Sequence, residues 1–193
     1  MLEQPARIPQ RAPPRFMRRS FTFRSFIRTI ANLLRRPRDI LHTVIHNQIS
    51  PDFSERIMLA VTAVNGCRYC TYVHTKLALE QGCTPQVIQA ITNFEYARLK
   101  EDEVVALAFA QHYAESRDSP SKDALKQLWR YYGPTKARDI LNSIQLITVG
   151  NLTGNALDAF KSRLRGIPPD HGSFLFEFIV YIIGMPVTYF MLN

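Results

Sequence analysis

Three prolines, each directly after a capping or turn residue, divide much of this sequence into segments. They occur in Ser50-Pro51, Thr84-Pro85 and Gly133-Pro134. Proline is well tolerated at the first position of an α-helix and breaks its interior, so each pair predicts a helix start. Between these starts apolar residues recur at helical spacing. The sequence therefore predicts an all-α protein, a compact antiparallel helical domain with short connections. The predicted helices span about 38–48, 51–64, 67–82, 84–93, 100–117, 121–132, 134–165 and 171–191.

Charge and composition divide the 193 residues into three predicted parts. Residues 1–36 form a basic arm, because residues 1–38 contain ten arginines and a single acid, Glu3. We expect the proline-rich start of this arm to be disordered and its end to form an amphipathic helix. Residues 37–168 form the helical domain, and residues 169–193 form an apolar C-terminal helix. The net charge of +8 belongs to the arm, so the domain gives no reason to expect nucleic-acid binding.

Two apolar segments, one near each end of the chain, are predicted to pack against another surface. Residues 21–36 place an apolar stripe beside arginines, which fits a membrane surface, docking on the domain or a neighbouring subunit, or organellar targeting. Residues 174–192 carry one charge, Glu177, and Gly184 and Pro186 argue against an ordinary membrane-spanning helix. Their expected partners are a second subunit, a membrane or the domain core. With three cysteines and no visible signal peptide, we expect a cytoplasmic protein that can lie at the periphery of a membrane.

Two cysteines and a histidine fall on one face of a predicted helix. At roughly 100° per residue, Cys70 lies about 60° from Cys67, and His74 falls between them. Asn65-Gly66 predicts a turn just before the pair, so both cysteines belong to the start of a helix. Unpaired N–H groups there and the charge of Arg68 favour a thiolate, and His74 can take a proton from Cys70. A thiol pair beside an imidazole indicates a redox site or a metal site.

Glu55 is the fourth candidate member of this group. It precedes Cys67 by twelve residues and lies on the preceding predicted helix. If the chain reverses at Asn65-Gly66, the carboxylate comes near His74, where it would orient the imidazole and raise its basicity. The spacing therefore predicts a chain of carboxylate, imidazole and thiol.

Three interpretations of these residues stay open on their chemistry alone. In a redox site, Cys70 attacks an oxidant and Cys67 closes the disulfide. In a structural zinc site, Cys67, Cys70 and His74 supply three ligands, but a fourth has no evident source. Cys83 lies at the far end of the same predicted helix, roughly 20 Å away, and cannot supply it. In the third interpretation the cysteines are simply buried in an apolar helix, which leaves Arg68 and the Asn-Gly break unexplained.

The stretch Asn65-Gly66-Cys67-Arg68-Tyr69-Cys70, with Glu55 before it and His74 after it, matches a known pattern. It resembles the alkylhydroperoxidase D-like branch of the carboxymuconolactone decarboxylase superfamily. That branch carries a glutamate followed at this spacing by Cys-x-x-Cys-x-x-x-His. The resemblance runs from about residue 37 to about residue 168 and includes Gly150-Asn151-Leu152-Thr153-Gly154-Asn155. It does not cover the basic arm or the apolar C-terminal helix.

This resemblance implies an all-α homo-oligomer, a trimer or a hexamer, that reduces peroxides or disulfides without a metal, haem or other cofactor. It implies that Cys70 is the peroxidatic thiol and Cys67 the resolving thiol. His74 would be the base and Glu55 its partner in a proton relay. Some members have a second histidine directly before the peroxidatic cysteine, where this sequence has Tyr69. Lactone decarboxylation is not expected, because the decarboxylase branch generally lacks this cysteine pair.

Residues and resemblance together predict a thiol-dependent peroxidase, an antioxidant oxidoreductase of the peroxiredoxin type. Its predicted partners are a peroxide or disulfide substrate and a reductant, either an external dithiol or a lipoyl- or thioredoxin-type protein. The alternatives are a non-enzymatic oligomeric scaffold of the same fold, which can associate with a membrane, and a structural zinc site.

Overall fold

The computed structural model describes residues 16–34, 37–45 and 48–192, and this part of the chain is all-helical. It contains eight α-helices, one short 3-10 helix (Tyr96–Arg98) and no β-strand. The all-α prediction is therefore confirmed. The start of the arm predicted to be disordered or extended is residues 1–20, of which residues 1–15 lie outside the described residues. The α-helices are α1 (Phe23–Leu34), α2 (Pro37–Ile45), α3 (Pro51–Asn65), α4 (Arg68–Glu80), α5 (Pro85–Thr92), α6 (Glu101–Glu115), α7 (Lys122–Leu164) and α8 (Phe174–Leu192).

The longest helix, α7, has a break where the sequence predicts a boundary. Gly133 has φ 73° and ψ 173°, a conformation outside the helical region that favours glycine. Pro134 follows and has no backbone N–H to donate to the preceding turn. The predicted helices 121–132 and 134–165 therefore correspond to two helical segments that meet at this kink.

Helix α3 carries much of the apolar core. It packs on α6 and α7 and also contacts α4 and α5. Ile57, Ala60 and Val61 on this helix are fully buried, and each large apolar side chain buried in this way contributes roughly 1.5–3 kcal/mol. Arg56 is buried as well, and its Nη2 donates to Glu103 Oε1 at 2.9 Å, so the charge is paired. The core thus holds the helix that leads into the cysteine pair.

Aromatic contacts join the end of the arm to the domain. Phe21 is buried, and its ring centroid lies 5.4 Å from that of Phe26 and 6.0 Å from that of Phe176 in α8. The rings of Phe26 and Phe176 are 4.8 Å apart. Phe23 and Ile27, on the same predicted apolar stripe, are exposed. One side of the apolar stripe therefore packs on the domain, and the other side is exposed to solvent.

Helix α8 packs one face on α7 and exposes the other. On the inner face, Glu177 is fully buried and accepts hydrogen bonds from Arg163 Nε at 2.6 Å and Nη2 at 3.3 Å. A Cβ on Gly172 would overlap this carboxylate. Among the described residues, no helix has the length and apolar character needed to cross a bilayer. The outer face of α8 is formed by the exposed apolar residues Phe174, Leu175, Phe178, Ile179, Ile182 and Ile183.

Candidate active site

A tight turn between α3 and α4 presents the two cysteines of the candidate site. Helix α3 ends at Asn65, and Gly66 takes the left-handed conformation with φ 68°, which closes the helix through its N–H to Thr62 O at 2.8 Å. Cys67 then occupies the N-cap of α4, where its Sγ accepts the N–H of Cys70 at 3.3 Å. The predicted turn and helix start are both present, and the pair lies at a helix N-terminus, which favours negative charge.

Cys67 and Cys70 are joined as a disulfide, with their Cα atoms 5.3 Å apart. Cys67 is fully buried, whereas Cys70 is half-buried and lines an open cavity. A Cβ added to Gly154 of α7 would lie 2.6 Å from Cys67 Sγ, so a glycine is needed at this close approach. Cys83 is free and buried in the main core. Cys70 is therefore the member of the pair that a small molecule can reach.

The structure brings His74 of α4 and Glu55 of α3 into direct contact. His74 Nδ1 lies 2.7 Å from Glu55 Oε2, and each side chain is 15% exposed. An ionised carboxylate can only accept a hydrogen bond, so in the neutral imidazole the contact places the proton on Nδ1 and the lone pair on Nε2. A half-buried imidazole held in this way can accept a proton at Nε2.

An open, mainly apolar cavity of about 430 Å³ adjoins Cys70 and His74. Three helices form its wall, since α4, α7 and α8 all contribute residues. Sequence reasoning assigned α8 to a subunit, a membrane or the core and missed its place beside the cysteine pair. The other residues around the cavity are Tyr69, Val73, Ile147, Gly150, Thr153, Gly154, Leu157, Val180, Ile183 and Gly184.

Two buried asparagines of α7 fix the end of α3 just before the cysteine turn. Asn155 Nδ2 donates to Asn65 O at 2.7 Å and to Arg19 O at 2.9 Å. One turn earlier, the Thr62 hydroxyl donates to Asn151 Oδ1 at 3.0 Å. Both asparagines belong to the glycine- and asparagine-containing stretch quoted above. Its part in the structure is to hold the turn that carries the cysteines.

Tyr69, between the two cysteines, belongs to a charged cluster that sequence reasoning did not find. Its hydroxyl donates to Asp158 Oδ1 at 2.9 Å and accepts from Lys161 Nζ at 3.1 Å. Arg68 pairs with the same Asp158 oxygen at 2.6 Å. Burial opposes the charge of Arg68, but the Tyr69 hydroxyl and the Asp158 carboxylate outweigh it and raise the pKa of the guanidinium. The available signal was a lone carboxylate in the otherwise apolar run Ala156–Phe160, which indicates a buried partner.

The geometry for a metal site is lacking in the part of the chain that the structure describes. No three His, Cys, Asp or Glu side chains there come close enough together to hold a metal ion. A closed zinc site needs four ligands, and the sulfurs of Cys67 and Cys70 are bonded to each other in this structure.

Comparison with known proteins gives one match. Residues 31–112 match the model of the carboxymuconolactone decarboxylase family, and this range contains Glu55, Cys67, Cys70 and His74. Searches of the curated proteins and of the solved structures found no match. The match supports the carboxymuconolactone decarboxylase superfamily for residues 31–112, and the cysteine pair is consistent with its alkylhydroperoxidase D-like branch.

Proposed function

We propose that the chain is a thiol-dependent peroxidase, an oxidoreductase that reduces a hydroperoxide with its cysteine pair. The observation that carries the proposal is the contact between Glu55 and His74, 2.7 Å long, together with the open cavity that His74 and Cys70 both line. A thiol next to an imidazole that a carboxylate orients is a general arrangement for activating a nucleophile. The family match supports the fold and is consistent with this chemistry.

The first step starts from the dithiol form and oxidises Cys70. His74 Nε2 takes the proton of the Cys70 thiol, and the thiolate attacks the outer oxygen of the hydroperoxide. The O–O bond breaks, the sulfur is oxidised to the sulfenic acid, and the peroxide is reduced to an alcohol. The proton held by His74 goes to the leaving alkoxide. Glu55 keeps the imidazole oriented through its contact with Nδ1.

The second step uses Cys67 to resolve the sulfenic acid. The Cys67 thiol attacks the Cys70 sulfur and the disulfide forms. The hydroxyl group of the sulfenic acid leaves and takes the proton of the Cys67 thiol, which gives water. The bonded pair with Cα atoms 5.3 Å apart fits this product. An external dithiol, free or on a lipoyl- or thioredoxin-type protein, then returns both cysteines to thiols and is itself oxidised. Cys67 is buried, so we assign it the reaction with the oxidised Cys70 and not the reaction with the peroxide.

Tyr69 distinguishes this site from family members with a second histidine. Its hydroxyl is engaged by Asp158 and Lys161, so it is not free to pass a proton to the cavity. We propose that the relay in this chain consists of His74 and Glu55 alone.

Counting thiols tests the proposal. One equivalent of cumene hydroperoxide should consume two thiols of the reduced protein, which has three cysteines, and leave Cys83 free. Cys83→Ser should behave like the wild type in this assay, and Cys70→Ser should lose the reaction with its fold intact. A wild-type protein that keeps all of its thiols under peroxide and under disulfide substrates would rule the proposal out.

The exposed face of α8 supports a second proposal, that the domain assembles with copies of itself. Ile179 and Ile182 on this face are 43% and 57% exposed, and large exposed apolar surfaces commonly mark interfaces. Sedimentation velocity should then show an oligomer that Ile182→Glu dissociates. A monomeric wild type that floats with anionic vesicles would instead support the membrane surface as the partner.

A further inference from the structure

A second cavity, of about 210 Å³, lies next to the residue that follows Cys67, and positive charge dominates it. One of its basic residues lies near the start of the described chain, and one is the first residue of α4. The other two lie in the last turn of α7 and at its C-cap. One carboxylate lies among them. The five residues are Arg18, Arg68, Lys161, Arg165 and Asp158.

The one carboxylate is already fully engaged. Asp158 is nearly buried, and its Oδ2 accepts from Arg18 Nη1 at 2.7 Å. Its Oδ1 accepts from the Tyr69 hydroxyl at 2.9 Å and pairs with Arg68 Nη2 at 2.6 Å. One negative charge balances one of the four cations, so the cavity carries an excess of three positive charges.

Two of the cations lack an acidic partner among the described residues. Lys161 Nζ contacts only the neutral Tyr69 hydroxyl and ring. The guanidinium of Arg165 makes no hydrogen bond or ion pair with the described part of the chain, and only its backbone N–H is engaged, by Ser162 O. They are four residues apart, with Lys161 in the last turn of α7 and Arg165 at its C-cap, a spacing at which like charges repel. An anion in the cavity would remove this repulsion.

We propose that this cavity binds the phosphate group of a small molecule. An excess of three charges suits a dianionic phosphate better than a single carboxylate, and guanidinium groups bind its oxygens in pairs. Phe16 and Ile167 also line the cavity and offer an apolar wall to the remainder of an organic phosphate. The phosphate can come from inorganic phosphate or from a phosphate monoester. This site is independent of the proposed peroxidase reaction, since neither cysteine lines it.

Isothermal titration calorimetry of the full chain tests the proposal at constant ionic strength. Inorganic phosphate, propyl phosphate and acetate are titrated into the wild type and into two variants. Arg165→Gln removes an exposed cation of the cavity, and Arg130→Gln removes an exposed arginine of α7 outside the cavity. We expect one phosphate site per chain, weakened about tenfold or more by Arg165→Gln and unchanged by Arg130→Gln.

The titrant that binds more tightly identifies the source of the phosphate. Tighter binding of propyl phosphate supports a monoester ligand, and equal binding of both phosphates supports inorganic phosphate. Absence of saturable phosphate binding would overturn the proposal. So would acetate binding as tight as that of phosphate, or an equal loss in Arg130→Gln, because either result would show unspecific attraction to a basic protein.

Discussion

At the scale of single residues, the proposed reaction depends on one nitrogen atom. Glu55 accepts the hydrogen bond of His74 Nδ1, so Nε2 is the nitrogen that can take a proton. The proposal therefore assigns the two residues unequal parts. His74 exchanges the proton, whereas Glu55 acts only through His74.

Removing either residue should slow the oxidation of Cys70 by different amounts. We expect His74→Asn to reduce the second-order rate with cumene hydroperoxide about 100-fold, and Glu55→Gln about tenfold. Stopped-flow measurement of the reduced protein gives both rates. The matched controls are His171→Asn and Glu80→Gln, which change exposed residues outside the cavity and should leave the rate unaltered. Equal rates in His74→Asn and the wild type would contradict the base assigned to His74.

Gly154 allows a second prediction at this scale, because its missing side chain makes room for the disulfide. Gly154→Ala would place a Cβ 2.6 Å from Cys67 Sγ. Forcing one methyl group into a packed site costs about 1–3 kcal/mol, more than the ~1 kcal/mol that alanine gains in a helix. Urea unfolding of the oxidised protein should therefore show a lower free energy of unfolding.

Gly150→Ala is the matched control for that substitution. Its added Cβ would meet only Ile147 Cδ1, at 3.9 Å, which is an ordinary contact. We expect it to be neutral or to stabilise the protein by up to about 1 kcal/mol. Equal effects of the two substitutions would contradict the close packing of Gly154 on the cysteine pair.

At the scale of helices, local sequence predicts boundaries well and distant packing poorly. Pro51 and Pro85 begin α3 and α5, and Gly133 marks the kink in α7, because each residue acts on its own stretch of backbone. The approach of Glu55 to His74 could be anticipated, since it needs only two helices joined by a tight turn. The place of Val180 and Ile183 in the cavity could not, because it depends on how α8 packs on α7.

The ion pair between Arg18 and Asp158 shows the same limit. Sequence reasoning separated the arm from the chemistry, yet Arg18 pairs with Asp158 beside Tyr69. Their separation of 140 residues carries no periodic pattern that links them. Only the folded arrangement of the arm, α4 and α7 brings them together.

The catalytic roles assigned to the four site residues, Glu55, Cys67, Cys70 and His74, stay predictions.

The ion pair between Glu177 and Arg163 should control how firmly α8 holds to α7. Glu177 is 0% exposed, so Glu177→Gln leaves the guanidinium without a charged partner at a buried contact. We expect a loss of about 2–3 kcal/mol, reduced from the value for fully buried pairs because Arg163 is partly exposed. Hydrogen exchange should quicken in α8 before it changes in α3.

Glu80→Gln provides the reference for that experiment. Glu80 pairs with Lys76 at 4.0 Å on the surface of α4, and exposed pairs of this kind contribute little. Its exchange rates should match those of the wild type. Unchanged exchange of α8 in Glu177→Gln would show that apolar packing alone holds the helix.

At the scale of the whole molecule, burial of tyrosine hydroxyls predicts how stability depends on alkaline pH. Desolvation, helped by the charge of Asp118, raises the pKa of Tyr113 from 10.0 to about 12. The unfolded chain therefore loses this proton near pH 10, while the folded chain keeps it until about pH 12. Stability is fully present below pH 10 and falls as the pH rises toward 12, by roughly 2 kcal/mol for this residue.

Urea unfolding between pH 8 and pH 11 measures this dependence. Tyr113→Phe should flatten the fall in the free energy of unfolding, whereas Tyr131→Phe, at a half-exposed position, should not. Identical slopes in the wild type and Tyr113→Phe would contradict the burial assigned to this hydroxyl.

The central claim is that a hydroperoxide oxidises Cys70 and that Cys67 then resolves it. The most direct measurement traps the intermediate in a Cys67→Ser, Cys83→Ser double variant, in which no second thiol can react. The variant is treated with one equivalent of cumene hydroperoxide and with dimedone, and its peptides are analysed by mass spectrometry. We predict a dimedone adduct on Cys70 that appears more slowly when His74→Asn is added. A folded double variant whose Cys70 stays an unmodified thiol would contradict the claim.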